Sequence, residues 1–285
     1  MMQSKKDSIL TFTAEAANSS VKLTAVGSPP AVTLEYNLNG GGWLPYTVGN
    51  VISLPNVGDN VKMRGNNTVF TSHSNHYNKF ELTGLVAASG DITSLLNNIG
   101  GDVKLLSNNT FMQLFFQCNK LVTAPNLPST SLSVSCYTRM FSYCSNLANA
   151  PKLPATIVMS IAYYSMFDHC TNLISVPKIE VNAIENQGIQ SMFANCSKVK
   201  SYRFTTINNS KNVFENNLSC ETFVIEATIP PTIASNTITG LKSDCKIYVP
   251  YSEDHSILNA YKAKQYWSDR ANYIYELDEN GNIPS

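Results

Sequence analysis

Residues 140–153 read M-F-S-Y-C-S-N-L-A-N-A-P-K-L, and residues 166–179 read M-F-D-H-C-T-N-L-I-S-V-P-K-I. The two stretches are one motif, M-F-x-x-C-x-x-L-x-x-x-P-x-L/I, set 26 residues apart. The register extends in both directions. Cys118, Cys144, Cys170 and Cys196 recur at that interval, as do Leu121, Leu147, Leu173 and Val199. Leu114, Met140, Met166 and Met192 precede Phe115, Phe141, Phe167 and Phe193, and Pro125, Pro151 and Pro177 fall in line. A fixed period with apolar residues in columns predicts a solenoid. One unit cannot bury its own apolar face, whereas stacked units bury a shared core. The Met, Phe, Cys and Leu/Val columns are the expected inner face.

Met140, Phe141 and Cys144 stand at i, i+1 and i+4, which predicts a short helical turn in each coil. Leu147 opens an extended stretch that Pro151 limits, because proline has no N–H to give to a strand ladder. Asn146 and Asn172 sit between the Cys and Leu columns, where a side-chain amide bonds turn backbone. One period back from Leu132 and Tyr137 lie Leu106 and Phe111, so residues 91–106 read as a degenerate first coil or a cap. After Cys196 the pattern contracts, and Phe214 follows Phe193 by 21 residues. Phe223–Ile225 and Ile247–Val249 read as later strands. Ile257, Leu258 and Tyr261 predict a closing helix over 252–264 with Ser252 as its N-cap.

The N-terminal third has a different texture. Val21, Leu23 and Ala25 alternate with polar neighbours, and Leu34, Tyr36 and Leu38 alternate up to Asn39-Gly40-Gly41-Gly42. Asparagine and glycine tolerate the positive φ of a tight hairpin, so a hairpin is predicted there. With Val51–Leu54, Val61–Met63 and Phe80–Leu82, the spacing suggests a small β-sandwich. The expected organisation is a disordered segment 1–8, a sandwich 9–88, a repeat region 89–250 and a capping helix and tail 251–285. Ser89-Gly90 marks the junction.

Composition excludes some functions. Lys+Arg and Asp+Glu are both 20, and charged residues are 14% of the 285. The balance leaves no electrostatic footprint for nucleic acid. A hydrophobic fraction of 43% is enough for a sizeable core. No run of about 18 apolar residues predicts a membrane-spanning helix. The N-terminal stretch has no apolar h-region, so either a leader was removed or the chain reaches its destination without one.

Seven cysteines are an odd number, so they cannot all pair within one chain. The four periodic ones read as buried free thiols, small hydrophobes on the inner face. Cys220 and Cys245 are the pair whose spacing merits a check. His73 and His76 read as a solvated loop, and His169 as a surface residue, since its column also holds Gln117, Tyr143 and Asn195. No cysteine or histidine has zinc spacing, so no metal or other cofactor is expected. There is no G-x-S-x-G, phosphate-binding or dinucleotide motif. Between Phe111 and Gln190 the acids are Asp168, Glu180 and Glu185, too few to suggest paired catalytic carboxylates. A non-enzymatic protein is expected. Two columns are candidates for ligand binding: Asn126, Lys152 and Lys178 in one register, and Tyr137 and Tyr163 in another.

The segments MFSYCSNLANAPKLPAT and MFDHCTNLISVPKI resemble the BspA-like leucine-rich repeats of gut and oral anaerobic bacteria. The C-terminal stretch ATIPPTIASNTITG…CKIYVPYSE…LNAYKAKQYWSD resembles the closing coil of such proteins, and LTFTAEAANSSVKLT…YNLNGGGWLPYT the small β-domain that precedes the repeats. The fourth coil departs from the pattern, with Tyr202 and Arg203 where Ala-Pro would fall. The resemblance implies an α/β leucine-rich-repeat solenoid, a short strand plus a short helix per ~26-residue coil, behind a small all-β sandwich. It implies an adhesin-type role: binding an extracellular protein or glycan on host or bacterial cells, at the cell surface or after secretion. Related modules occur in phage and prophage proteins, which gives the alternative of a virion- or tail-associated structural or receptor-binding protein.

Overall fold

The computed structural model of the protein describes residues 8–284, so nearly all of the expected disordered segment lies outside the described residues. Nine strands come first: β1 (Leu10–Ala14), β2 (Ser19–Val26), β3 (Leu34–Leu38), β4 (Leu44–Tyr46), β5 (Val51–Leu54), β6 (Asn60–Gly65), β7 (Thr71–His73), β8 (His76–Thr83) and β9 (Val86–Ser89). They form two layers. One sheet runs β9-β1-β6-β3-β4 and the other β5-β2-β8-β7. Alternate side chains of β1 and β6 are buried, as period-2 patterning requires. The Phe12 and Phe80 rings meet between the layers at 4.8 Å. The hairpin β3–β4 turns at Asn39 and Gly40, both at positive φ.

The expected α/β leucine-rich-repeat solenoid is corrected by the structure. The described residues are mostly β, in four separate sheets. Among the described residues, helix is confined to α1 (Ser94–Asn97), α2 (Ser256–Ala263) and a 3-10 turn (Ser268–Tyr273). None lies in the Met-Phe-x-x-Cys segments. The remaining strands are short: β10 (Leu121–Thr123), β11 (Ile157–Val158), β12 (Ala183–Ile184), β13 (Ser201–Phe204), β14 (Thr222–Ile225), β15 (Lys246–Val249) and β16 (Ile274–Glu276). The last four form a parallel sheet in chain order.

The backbone bonds explain why no helix forms. Tyr137, Arg139, Phe141 and Tyr143 donate their amides to Ala162, Tyr164, Met166 and Asp168 of the following unit. The intervening Thr138, Met140, Ser142 and Cys144 donate three residues back, to Ser135, Tyr137, Arg139 and Phe141. Every amide over 137–144 is satisfied, half of them by the neighbouring unit, as burial demands. An α-helix would spend all of them internally. The path turns by a left-handed residue at every fourth position: Ser135, Arg139 and Tyr143, then Ile161, Ser165 and His169, then Gln187, Ser191 and Asn195. Successive units therefore lie side by side. Phe115, Phe141, Phe167 and Phe193 stack with centroids 5.4–5.5 Å apart. The inner-face residues Phe115, Cys118, Leu121, Met140, Phe141, Cys144, Leu147, Met166, Phe167, Cys170, Leu173, Met192, Phe193, Cys196 and Val199 are all buried.

The sandwich is joined to this stack rather than hinged to it. β9 pairs in parallel with β10, and one hydrophobic core runs through both regions. Two sandwich residues occupy the places of a preceding unit. Phe80 donates its amide to Leu114, as Phe115 does to Met140, and its ring stacks on Phe115 at 5.3 Å. Phe70 donates to Thr110, as Phe111 does to Cys136, and faces Phe111 at 5.8 Å. Residues 91–106 flank the first unit on its other side. Asp91 bridges Asn126 and Leu105 donates to Ser131, but Leu106 is exposed. At the far end the closing helix α2 begins four residues later than predicted. The Ser252 hydroxyl still accepts the Ile257 amide, at 3.1 Å. Trp267 is fully buried there and donates to the Pro231 carbonyl at 2.9 Å.

Candidate functional site

The third left-handed corner of each unit points a side chain outward. Gln117, Tyr143, His169, Asn195 and Asn216 follow one another along this edge. Tyr143 and His169 lie face to face, centroids 4.2 Å apart and planes within 10°. Each unit carries its corner residue to the same place, and the spacing between units is close to ring-stacking distance. His169 Nδ1 lies 2.7 Å from Asp168 Oδ1, and Asn195 Nδ2 donates to that same carboxylate at 3.0 Å. Asn216 then donates to Asn195 Oδ1 at 2.8 Å. This half of the edge is a closed polar chain. A parallel row runs beside it: Asn146 donates to the Asn119 carbonyl at 2.6 Å, and Lys198 to Asn172 Oδ1 at 2.6 Å. Asn146 thus bonds the preceding unit and not its own turn.

The other half of the edge is open. Tyr143 is 42% exposed, and the Phe116 ring stands perpendicular to it at 6.1 Å. Lys79, Glu81, Gln117, Asn119 and Tyr143 line a shallow cleft of about 550 Å³ where β8 meets the first two units. Glu81 is paired with Lys22 at 2.7 Å, and that hydrogen bond holds its carboxyl below the ordinary range against the opposing effect of burial. The side chains of Gln117 and Asn119 and the Tyr143 hydroxyl make no hydrogen bond among the described residues. The cleft thus combines one aromatic face, two open amides, a hydroxyl and a charged pair. That is a set for recognising a polar ligand with one apolar face.

The two candidate columns fare differently. Tyr137 and Tyr163 are each 1% exposed and cannot touch a ligand. They continue the buried stack from Phe111, at 6.1 Å each, because their register points into the stack. Asn126, Lys152 and Lys178 share a register and are all exposed, but they differ in their partners. Asn126 donates to Asp91 at 3.0 Å. Lys178 lies 2.8 Å from Glu226 and 3.3 Å from Glu180, and the Glu226 bond raises its pKa. Burial opposes ionisation of Glu226, yet Lys178 and Arg203 together keep it below the ordinary carboxylate value. Lys152 is exposed and unpaired among the described residues. His73 and His76 are exposed, and His76 Nδ1 accepts the Ser28 amide.

The fold and the edge together define a mostly-β protein of stacked 26-residue units with one exposed aromatic and amide row. Comparison with known protein families gives no match, and comparison with curated proteins gives none. Among the described residues, no helix is long and apolar enough to cross a membrane.

Proposed function

We propose that the protein is a non-enzymatic recognition module that binds a glycan on bacterial or host cells, outside the cell, at the cleft between β8 and the first two units. The carrying observation is the Tyr143 ring. It is stacked on His169 and still 42% exposed, beside amides that lack intramolecular partners. A sugar ring offers an apolar C–H face to such a ring and hydroxyls to Gln117 and Asn119. Bracing matters because a side chain already held in place loses little freedom on binding. The resemblance of the repeat unit to BspA-like surface proteins supports a role in adhesion.

The test is saturable binding of the labelled full chain to bacterial and host cells, with free sugars as competitors. Tyr143→Ala is expected to weaken binding about tenfold, the equivalent of roughly 1.4 kcal/mol, while leaving the melting temperature within a degree or two. Tyr143→Phe is expected to retain most of it. Unchanged binding by Tyr143→Ala would remove the cleft from the reading, and no binding to any cell would remove the reading itself.

A further inference from the structure

The seven cysteines are not equivalent. Cys144, Cys170 and Cys196 each direct the thiol to a phenylalanine carbonyl of the preceding unit, Phe115, Phe141 and Phe167, at 3.1 Å. Cys118 does the same toward Phe80. These thiols are turned to backbone and held there. Cys220 and Cys245 are turned to each other. They precede the neighbouring parallel strands β14 and β15, and their sulfurs lie 3.6 Å apart in a thiol–thiol hydrogen bond. Neighbouring parallel strands lie about 4.8 Å apart, within the Cα separations a disulfide accepts. Closing the sulfurs to bonding distance requires a movement of about 1.5 Å, within reach of side-chain rotation.

The surroundings favour thiolate formation on one partner. Arg270 donates to the carbonyls of Ile238, Leu241, Lys242 and Ser243, which fixes its guanidinium beside the turn leading into Cys245. The bond with Cys220 and then the Arg270 charge hold Cys245 below the ordinary thiol value despite burial. The same thiol–thiol bond, with burial, raises Cys220. Both thiols are buried, Cys220 0% and Cys245 1% exposed, so exchange proceeds when the local structure around them opens, and a cysteine beside a cation is then the usual attacking partner.

We propose that Cys220 and Cys245 are an oxidative modification site, closed to a disulfide by exchange with a small-molecule disulfide such as oxidised glutathione. The Cys245 thiolate attacks one glutathione sulfur, the glutathione S–S bond breaks, and one glutathione thiolate leaves. The Cys220 thiolate then attacks the Cys245 sulfur, forms the new S–S bond and expels the second glutathione. The two cysteine protons pass to the two leaving thiolates. The pair loses two electrons and the oxidised glutathione gains them. The bond links residues 25 apart in sequence across two adjacent strands, and so locks the unit beneath the C-terminal segment.

The test uses the native full chain in buffers of graded oxidised-to-reduced glutathione ratio, quenched in acid, alkylated after denaturation and mapped by mass spectrometry. The expected result is a fall from seven to five alkylatable thiols, a mass lower by two hydrogens, and a linked peptide pair holding Cys220 and Cys245. Cys220→Ser is expected to leave Cys245 as a glutathione adduct, and Cys245→Ser to yield neither adduct nor link. Wild-type mapping is decisive even where a variant fails to fold. Seven free thiols at the highest ratio, or links among Cys118, Cys144, Cys170 and Cys196, would overturn the proposal.

Discussion

Raising the pH from 8 to 10 should unfold this protein through its buried cysteines. Burial pushes the Cys118 and Cys136 thiols up to about 12, against an ordinary value of 9.0. Burial also raises Cys144, Cys170 and Cys196. For an acid whose folded value is raised, the folded state holds its proton after the unfolded state has lost it. Stability is complete below pH 9 and falls as pH rises toward 12. One pH unit above its unfolded value, each such thiol removes roughly 1 kcal/mol. Five of them remove on the order of 5–7 kcal/mol at pH 10, comparable with a whole domain's stability. The assay is urea unfolding at pH 8, 9 and 10 followed by the fluorescence of buried Trp267. The Cys144→Ala/Cys170→Ala variant should show a pH slope shallower by about two protons. A wild-type loss under about 2 kcal/mol across this range, or the same slope in the variant, would refute the coupling of thiol ionisation to the stack.

Other outcomes follow from the same packing. Phe141→Ala or Phe167→Ala should cost about 3–5 kcal/mol in urea unfolding, since each removes a fully buried ring stacked on both sides; a loss under about 1 kcal/mol would contradict the observed stacking. Ile161 is a β-branched residue at φ 48°, so Ile161→Asn should stabilise the fold by about 1 kcal/mol, read as a rise of roughly 2–4 °C in Tm. Gly90 stands at φ 71° against the Ile9 carbonyl, so Gly90→Ala should lower Tm by several degrees at the seam between sandwich and units.

The period was legible because inward columns repeat in residue type: Phe, Cys and Leu occupy the same slots, and they are buried. The helix was misread because an i, i+1, i+4 set of inward residues also arises from turns cornered at every fourth position. Those corners carry Gln, Arg, Tyr, Ser, His, Ile and Asn, with no glycine to announce positive φ. The corner column holding Gln117, Tyr143, His169 and Asn195 mixes residue types, which marks a surface position for His169 but does not reveal that the whole column forms one edge. A signal was present in the 26-residue interval from Tyr143 to His169, two flat rings one unit apart. Tyr137 and Tyr163 share a register, and register alone fixes a common direction without saying whether it points in or out. The substitution of Phe70 and Phe80 for a missing unit had no periodic trace, because the sandwich supplies them from a strand and its approach.

Phe70 and Phe80 give the protein an order of assembly. All nine strands of the sandwich lie before residue 90, so that body is complete before the first unit is translated. It presents two amides and two rings in the positions that every later unit presents to its successor. Growth from the amino end therefore resembles seeded crystallisation, each newly made turn laid on a finished layer. Ribosome-bound chains halted near residue 215 should already protect the Phe115 and Phe141 layers from proteolysis, before the strands from Thr222 onward have been translated.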